Sequence, residues 1–302
     1  MVSVVIPTYR RPAVVRRAVE SVLGQTYRDV EVMVVSDGPD AEARAAVEGL
    51  GDERVRYMEM AVNGGPAVAR SAGVRASRGQ WVSFLDDDDL LLPEMVERMM
   101  AAADEAKPET MIACRAVFRY DGREDVWPDR PIGPEEDIAD YLLVRPSLLG
   151  RPGVVSLGLL LIHRSVLERV PFQSHKDHED WAWMLEAWHL VGARLKFVWA
   201  ALAVYNIDTQ SLSRSRRKNW EQSMEWAMEY RKWMSDAAFT SFLATKVAIK
   251  AKRAGDWGGL WKISKAVMRS RPRLLDVAFL CGVVLLPGFV LQGAWRRSLR
   301  KS

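Results

Sequence analysis

Trp81-Val82-Ser83-Phe84-Leu85 runs directly into Asp86-Asp87-Asp88-Asp89, so an apolar, strand-like segment ends in four consecutive carboxylates. Asp is a poor strand former, and the strand is expected to stop at Leu85 with the acids at its C-terminal end. Adjacent like charges disfavour one another's ionised forms; protonation, water or a bound cation relieves them. In open parallel sheets that edge is where ligands sit, and a hard divalent cation shared with phosphate oxygens suits such a carboxylate set. The plainer reading is a solvated acidic cap on a helix starting near Leu91-Leu92-Pro93-Glu94, since negative charge is favoured at helix N-termini.

The residues upstream supply the context. Val2-Ser3-Val4-Val5-Ile6 is a β-branched run closed by Pro7, which reads as a buried strand and a turn. After Thr8-Tyr9-Arg10-Arg11-Pro12 comes a helix-period stretch, Val14 to Leu23, with apolar Val15, Ala18, Val19 and Val22. Val30 to Val35 forms a second strand ending in Ser36-Asp37-Gly38-Pro39-Asp40, so strand, helix and strand make a right-handed parallel crossover. The first strand-to-helix turn holds no glycine and the chain has no Gly-x-x-x-x-Gly-Lys loop, which argues against nicotinamide enzymes and P-loop hydrolases. Tyr9 offers a ring that can stack on a base. Asp37 can accept from a ribose hydroxyl or a base N–H, or can simply form the turn before Gly38. Ala41 to Gly49 reads as a helix and Val55 to Glu59 as a short strand. Asn63-Gly64-Gly65-Pro66 then opens into a helix carrying Arg70, a ready anion site unless Arg70 is merely solvated.

Val4-Val5-Ile6-Pro7-Thr8-Tyr9-Arg10-Arg11, Val34-Val35-Ser36-Asp37-Gly38, Asn63-Gly64-Gly65 with Ala69-Arg70, and Phe84-Leu85-Asp86-Asp87-Asp88-Asp89 followed by Pro93 occur in this order over the first 93 residues. Together they resemble the motif set of family 2 glycosyltransferases. The resemblance implies a GT-A-type, Rossmann-like α/β fold with a mixed sheet flanked by helices, and inverting transfer from a nucleotide-diphosphate sugar. It also implies an Asp-x-Asp element that binds Mg²⁺ or Mn²⁺. By that likeness Pro7, Thr8, Tyr9 and Asp37 hold the nucleoside, Arg70 serves the nucleotide end, and Arg10 and Asn63 belong to the same nucleotide-sugar site. Asp88 is the expected metal ligand with help from Asp86, while Asp87 faces the ribose and Asp89 caps the next helix. Ser71 departs from the pattern, which often has Asn after the Arg.

Further along, Met95 to Ala106 is an amphipathic helix and Met111 to Phe118 a strand. Asp121 to Asp140, rich in Pro, Gly and acids, reads as an irregular surface excursion bordering an acceptor site. Val154 to Ile162 is strand-like. A helix begins near Asp180, and Trp181, Met184, Leu185 and Trp188 keep one face apolar, with Trp188 in the core. Acids favour first turns in any case, but Glu179-Asp180-Trp181 is similar to the Glu-Asp element of the same family, which makes Asp180 the catalytic base and Glu179 its support. His175-x-x-His178 is a weak zinc spacing ahead of the helix; His178 and Trp181 are expected on the acceptor side. Ala201 to Tyr205 is a last strand. Asp208 beyond it is a candidate additional metal ligand or, by preference, a turn residue.

Charge divides the chain unevenly. Lys246 to Lys301 holds 13 basic residues against Asp256 and Asp276, giving this tail +11 and the rest −7 of a net +4. Val277 to Leu291 is 15 uncharged residues interrupted by Pro287, short of the ~20 that span a bilayer. With Arg271, Arg273, Arg296, Arg297, Arg300 and Lys301 around it and Phe289 and Trp295 as anchors, 271–301 reads as a segment on an anionic membrane face. A buried helix with a basic end is the competing reading, and nucleic acid is disfavoured because the basic residues accompany greasy segments. Two distant cysteines, Cys114 and Cys281, suit a reducing compartment, and the N-terminal run lacks a basic, cleavable leader. The expected organisation is a catalytic domain at 1–215, with a nucleotide-sugar-binding half at 1–100 and an acceptor half at 101–215. A basic helical region at 216–302 would follow. The expected protein is a hexosyltransferase of cell-surface polysaccharide or lipid-linked oligosaccharide synthesis, cytoplasmic and peripheral at the inner face of the membrane. A UDP-sugar is the expected donor and a glycan or lipid-linked molecule the acceptor. The alternatives are a catalytically idle nucleotide-sugar-binding or membrane-scaffold protein and, less favoured, a nucleotidyltransferase.

Overall fold

Seven consecutive buried residues in each of β1 (Val2–Thr8) and β2 (Val30–Ser36) are what a strand covered on both faces requires. In the computed structural model, which describes residues 1–120, 122–148, 150–173, 177–206 and 219–286, these strands pair in parallel toward one side of a nine-stranded sheet. β3 (Val55–Glu59) extends the sheet beyond β2, and β4 (Trp81–Phe84) lies on the other side of β1, also parallel. The C-terminal ends of β1, β2 and β4 therefore share one edge.

The remaining strands change direction. After β3-β2-β1-β4 come Leu160–His163 (β8), Thr110–Tyr120 (β6), Arg194–Asn206 (β9) and Leu90–Leu91 (β5), with Arg123–Trp127 (β7) paired to β6. β6 (Thr110–Tyr120) runs parallel to β9 (Arg194–Asn206) and antiparallel to β8 (Leu160–His163). β5 is only Leu90–Leu91, hydrogen-bonded to Val204 and Ala203. The Leu91-Leu92-Pro93-Glu94 run thus ends a short strand and leads directly into a helix. α4 (Met95–Ala103) stops short of the expected Ala106, its N-cap Glu94 makes no side-chain cap, and Asp89 is not a helix-capping acid.

Three helices follow from simple signals. α1 (Pro12–Leu23) has Pro at its first position and buries Val15, Ala18, Val19 and Val22 on one face. α2 (Ala41–Glu48) is capped by Asp40, which accepts from the Ala43 amide at 3.0 Å. α3 (Pro66–Ala76) packs on β1 and β2 through Gly73, where an added Cβ would overlap Val5 and press on Val35.

Two expectations for the middle of the chain are corrected. Between Asp121 and Asp140 lie β7 (Arg123–Trp127) and α5 (Ile138–Leu143), the latter capped by Asp137 and burying Ile138, Ala139 and Tyr141. β7 escapes sequence reading because three of its five residues are charged, as an edge strand tolerates. The strand expected over Val154 to Ile162 begins instead as a 3₁₀ turn, Leu157–Leu159, and becomes β8 at Leu160; α6 (Arg164–Arg169) follows it.

α7 (Glu179–Val191) starts where the sequence predicts, but its buried face is different. Trp183, almost fully buried with its indole N–H donating to the Val170 carbonyl at 2.7 Å, is the core tryptophan. Trp188 is half-buried beneath the Arg194 guanidinium. Met184 and Leu185 of the expected face are buried with Trp183.

The chain forms two compact units: the sheet unit of Met1–Pro131, Val155–His175 and Glu179–Ile207, and a helical unit of Ile132–Val154, Lys176–His178 and Asp208–Ser302. Within the helical unit α5 joins α8 (Trp220–Glu229), α9 (Asp236–Phe242), α10 (Ala248–Arg253), α11 (Trp257–Arg269) and α12 (Leu274–Leu285), with a π turn at Leu243–Val247. Asn219, Ser235 and Asp256 cap α8, α9 and α11 through their side chains. α12 carries a buried acid, Asp276, held by both Arg273 and Thr240. Arg273 is therefore an internal partner and not one of the flanking cations that the basic tail suggested. No helix among the described residues is long and apolar enough to cross a membrane. The residues at 287–302, including Phe289 and Trp295, lie outside the described set.

Candidate active site

Where β1, β2 and β4 end, the sheet unit collects charge. β1 closes at Thr8, and its hydroxyl donates to Asp87 Oδ2 at 2.7 Å. Arg10 follows in left-handed backbone (φ 54°), a conformation uncommon for a non-glycine residue, and its guanidinium lies 5.2 Å from the centre of the exposed Tyr9 ring. Arg11 then turns back. One of its terminal nitrogens donates to Asp87 Oδ1 and to Asp88 Oδ2, both at 2.9 Å. Asp87, expected to face a ribose, is buried and occupied by Thr8 and Arg11.

Asp37, at the end of β2, also has an internal task. Its two oxygens accept from the amides of Gly64 and Gly65 at 2.8 Å each, which ties the β2 turn to the loop that opens α3. Gly65 sits at φ 89°, where a side chain would be strained. Asn63 is exposed beside this tie, and Pro7 is buried within β1.

Arg70 gathers the largest cluster. It is almost fully buried in α3 and is the common partner of three carboxylates: Asp86 at 2.8 Å, Glu179 at 2.8 Å and Asp180 at 3.5 Å. A solvated arginine is excluded. The acid-rich end of β4 and the first turn of α7, far apart in sequence, thus meet on one guanidinium. Burial opposes the charged state of Arg70, but Asp86, Asp180 and Glu179 outweigh it and hold its pKa above the ordinary value. Burial raises the Glu179 pKa, Arg70 pulls it back and Asp180 pushes it further up. The Arg70 Nε and the neighbouring Ser71 hydroxyl are buried without a hydrogen-bond partner among the described residues.

The last aspartate is the most perturbed. Asp89 is buried, accepts from the Asn206 amide at 3.0 Å, and has its pKa pushed up to about 8 by burial and by Asp86, Asp88 and Asp87. The Asn206 side chain donates to the Asp88 carbonyl at 2.9 Å, so the end of β9 fixes the turn that displays Asp88. Asp86 and Asp88 remain the exposed members of the run.

The donor set suits a hard cation. Four aspartates in one turn are an excess of negative charge that a divalent ion would relieve, and that crowding together with burial raises the Asp89 pKa. No three acidic, histidine or cysteine groups among the described residues converge into a ready cage. Two protein carboxylates completed by diphosphate oxygens are the arrangement that magnesium sites commonly use.

The acceptor-side candidates separate. Trp181 is half-buried on the first turn of α7. His178 belongs to the helical unit, where its ring packs on Trp226 and Phe242 and its Nε2 lies 2.9 Å from the Ser223 hydroxyl. His175 and Asp208 lie outside the described residues. Arg11 and Asn206 are the participants that sequence reading passes over. Arg11 sits next to the Arg10 that was singled out, and Asn206 directly follows the last strand.

Comparison with known proteins agrees with this construction. The sequence model of Glycosyl transferase family 2 matches residues 3–170. A succinoglycan biosynthesis protein, ExoO of Rhizobium meliloti, is 38% identical over 122 residues, which cover 40% of this chain and 35% of that protein. An uncharacterized glycosyltransferase of Haemophilus influenzae is 30% identical over 152 residues, 50% of this chain and 51% of that one. The chain thus spans about a third to a half of the length of these relatives. Among solved structures, the mannosyltransferase PcManGT of Pyrobaculum calidifontis, in complex with GDP-Man and Mn²⁺, superposes with a TM-score of 0.60 at 16% identity, covering 99% of this chain and 84% of that one. S. aureus TarS 1–349 in complex with UDP-GlcNAc gives 0.55 at 18% identity, covering 99% and 79%. These likenesses show the GT-A-like fold: a mixed sheet flanked by helices, followed by C-terminal helices. With more than half of its length matched, and with the motif residues meeting at one sheet edge, the chain belongs to glycosyl transferase family 2.

Proposed function

We propose that this protein is an inverting glycosyltransferase that moves a sugar, of hexose type, from a nucleotide-diphosphate sugar to an acceptor hydroxyl. The observation that carries the reading is Arg70, which joins Asp86 at the end of β4 to Glu179 and Asp180 at the start of α7. A donor lying along the sheet edge would have its diphosphate beside the acidic turn and its anomeric carbon toward Asp180. Pro7, Thr8, Tyr9, Arg10, Asp37 and Asn63 form the nucleoside side, where Tyr9 supplies an exposed ring for stacking and Asp37 shapes the loop at Asn63.

Asp180 takes the proton from the acceptor hydroxyl as its oxygen attacks the anomeric carbon from the face opposite the diphosphate, a single displacement with general-base assistance. Glu179 shares Arg70 with Asp180 and so supports the position of the base. Arg11 and Asn206 hold the turn that presents Asp88. Asp88 with Asp86 would hold Mg²⁺ or Mn²⁺, which when bound supplies Lewis-acid neutralisation of the leaving diphosphate.

A UDP-sugar is the preferred donor, and a growing surface glycan or lipid-linked oligosaccharide the acceptor, with Trp181 on its side. We assign catalysis to 1–215, with the donor half at 1–100 and the acceptor half at 101–215. The helical region 216–302 would place the enzyme peripherally on the inner, anionic face of the cell membrane, with contact through 271–301. Asp180→Asn is expected to retain donor binding, followed by metal-dependent thermal stabilisation with UDP-sugars, and to lose transfer by about 10²- to 10⁴-fold. Near-normal transfer in that variant would remove Asp180 from the mechanism.

A further inference from the structure

Two neighbouring helices of the helical unit turn apolar stripes outward. α11 buries Leu260, Ile263 and Val267, while Trp257 and Trp261 are 63% and 64% exposed and Met268 is 58% exposed. At 3.6 residues per turn these three side chains fall within about 40° of one another around the helix, and Lys265, Arg269 and Lys262 follow within about the next 100°. Lys265 already lies over the Trp261 ring, 4.9 Å from its centre. α12 repeats the arrangement without charge. Leu274, Ala278, Cys281 and Leu285 are exposed at spacings of four, three and four, and Leu274 and Leu285 are 90% and 78% exposed. Between Asp256 and Leu286 the only acid is Asp276, which is buried and held by Arg273.

We propose that the exposed faces of α11 and α12 form one docking surface for an anionic lipid bilayer, with the Trp257 and Trp261 indoles at the polar–apolar boundary and the α12 leucines reaching the acyl chains. This deepens the peripheral-membrane part of the proposed function and moves its origin. The contact begins at Trp257, ahead of the basic 271–301 segment, and α11 supplies both the rings and the cations. Charge complementarity selects the occupant. Lys262, Lys265, Arg269 and exposed Arg271 match an anionic headgroup layer, whereas a second copy of the chain would bring the same cations against one another. Indoles favour the bilayer boundary, where one end is apolar and the other wet.

The test uses the full chain, co-sedimented with phosphatidylcholine vesicles and with vesicles of phosphatidylcholine and phosphatidylglycerol in equal parts. Wild type is expected to partition to the mixed vesicles only. Trp257→Ser with Trp261→Ser should weaken partition by about tenfold or more, and Lys262→Ser, Lys265→Ser and Arg269→Ser together should weaken it by about fivefold per charge and reduce its salt sensitivity. Circular dichroism melting confirms that both variants fold. Asp180→Asn is expected to partition like wild type, which keeps this outcome separate from that of the transferase chemistry. Equal partition of the tryptophan variant and wild type overturns the proposal. So does absence of wild-type binding to the mixed vesicles, or a dimer that forms without lipid and dissolves in the tryptophan variant.

Discussion

Two buried charge networks, one in each compact unit, differ in how completely they are satisfied. In the helical unit Asp177 accepts from Lys250 and from the Ser223 hydroxyl, and that hydroxyl accepts in turn from Lys250 and stands against His178 Nε2. The serine oxygen thereby uses its one donor and two acceptor capacities. In the sheet unit one guanidinium serves three carboxylates, its own Nε has no partner among the described residues, and burial and the neighbouring acids push the Asp89 pKa up. Closed networks rigidify a fold, whereas unbalanced ones in native proteins mark sites completed by something else. We therefore read the first as structural and the second as the place where ligand charge is received.

Substitutions can break that distinction. Arg70→Met removes the common partner of Asp86, Glu179 and Asp180, and breaking a buried ion pair by deleting one member costs ~3 kcal/mol or more. Urea unfolding should show that loss alongside abolished sugar transfer. Transfer that persisted in a destabilised variant would make the cluster structural after all. Asp177→Asn should cost about 2 kcal/mol at neutral pH and leave the donor KM unchanged. Burial raises the Asp177 pKa, but His178, Lys250 and Ser223 outweigh it and bring it down to about 2 from 3.8. The native state thus favours the carboxylate; its stabilisation is complete above about pH 4 and is lost as pH falls toward about 2. Stability measured between those limits should fall less steeply for Asp177→Asn than for wild type, and parallel curves would dismiss the network as a stabiliser. The smallest effect is expected at a solvated pair: Arg16→Ala, which breaks the exposed Arg16–Glu20 contact on α1, should change stability by less than ~0.5 kcal/mol.

The local features of the site were legible in the sequence, and its partnerships were not. β-branched runs mark β1 and β2, and the acid run after Leu85 stops β4 where expected, whereas Pro7, expected to close β1 with a turn, lies inside a strand that runs on to Thr8. The Glu179 start of α7 follows from the preference of acids for first turns. Asp87, by contrast, looks identical to its neighbours in the sequence. Only the fold makes it the buried acceptor for Thr8 and Arg11, which are 79 and 76 residues away. Arg70 meets Glu179 across 109 residues and Asn206 meets Asp89 across 117, separations at which neither periodicity nor spacing carries information. The outward tryptophans of α11 were hidden for a related reason. Helical periodicity marks two faces, and burial on one of them is a tertiary fact.

Gly73 gives the site a mechanical side. It lies one turn after Arg70 on α3, where the helix rests against Val5 and Val35 with no room for a methyl group. The depth to which α3 sinks between those valines sets how far the guanidinium reaches toward Asp86, Glu179 and Asp180. A Cβ at Gly73 would force the helix or the valines to give way, and a displaced helix carries the Arg70 backbone with it. The glycine thus acts as the shim of an electrostatic joint: it carries no charge and touches none of the acids, yet it fixes the gap across which they are bridged.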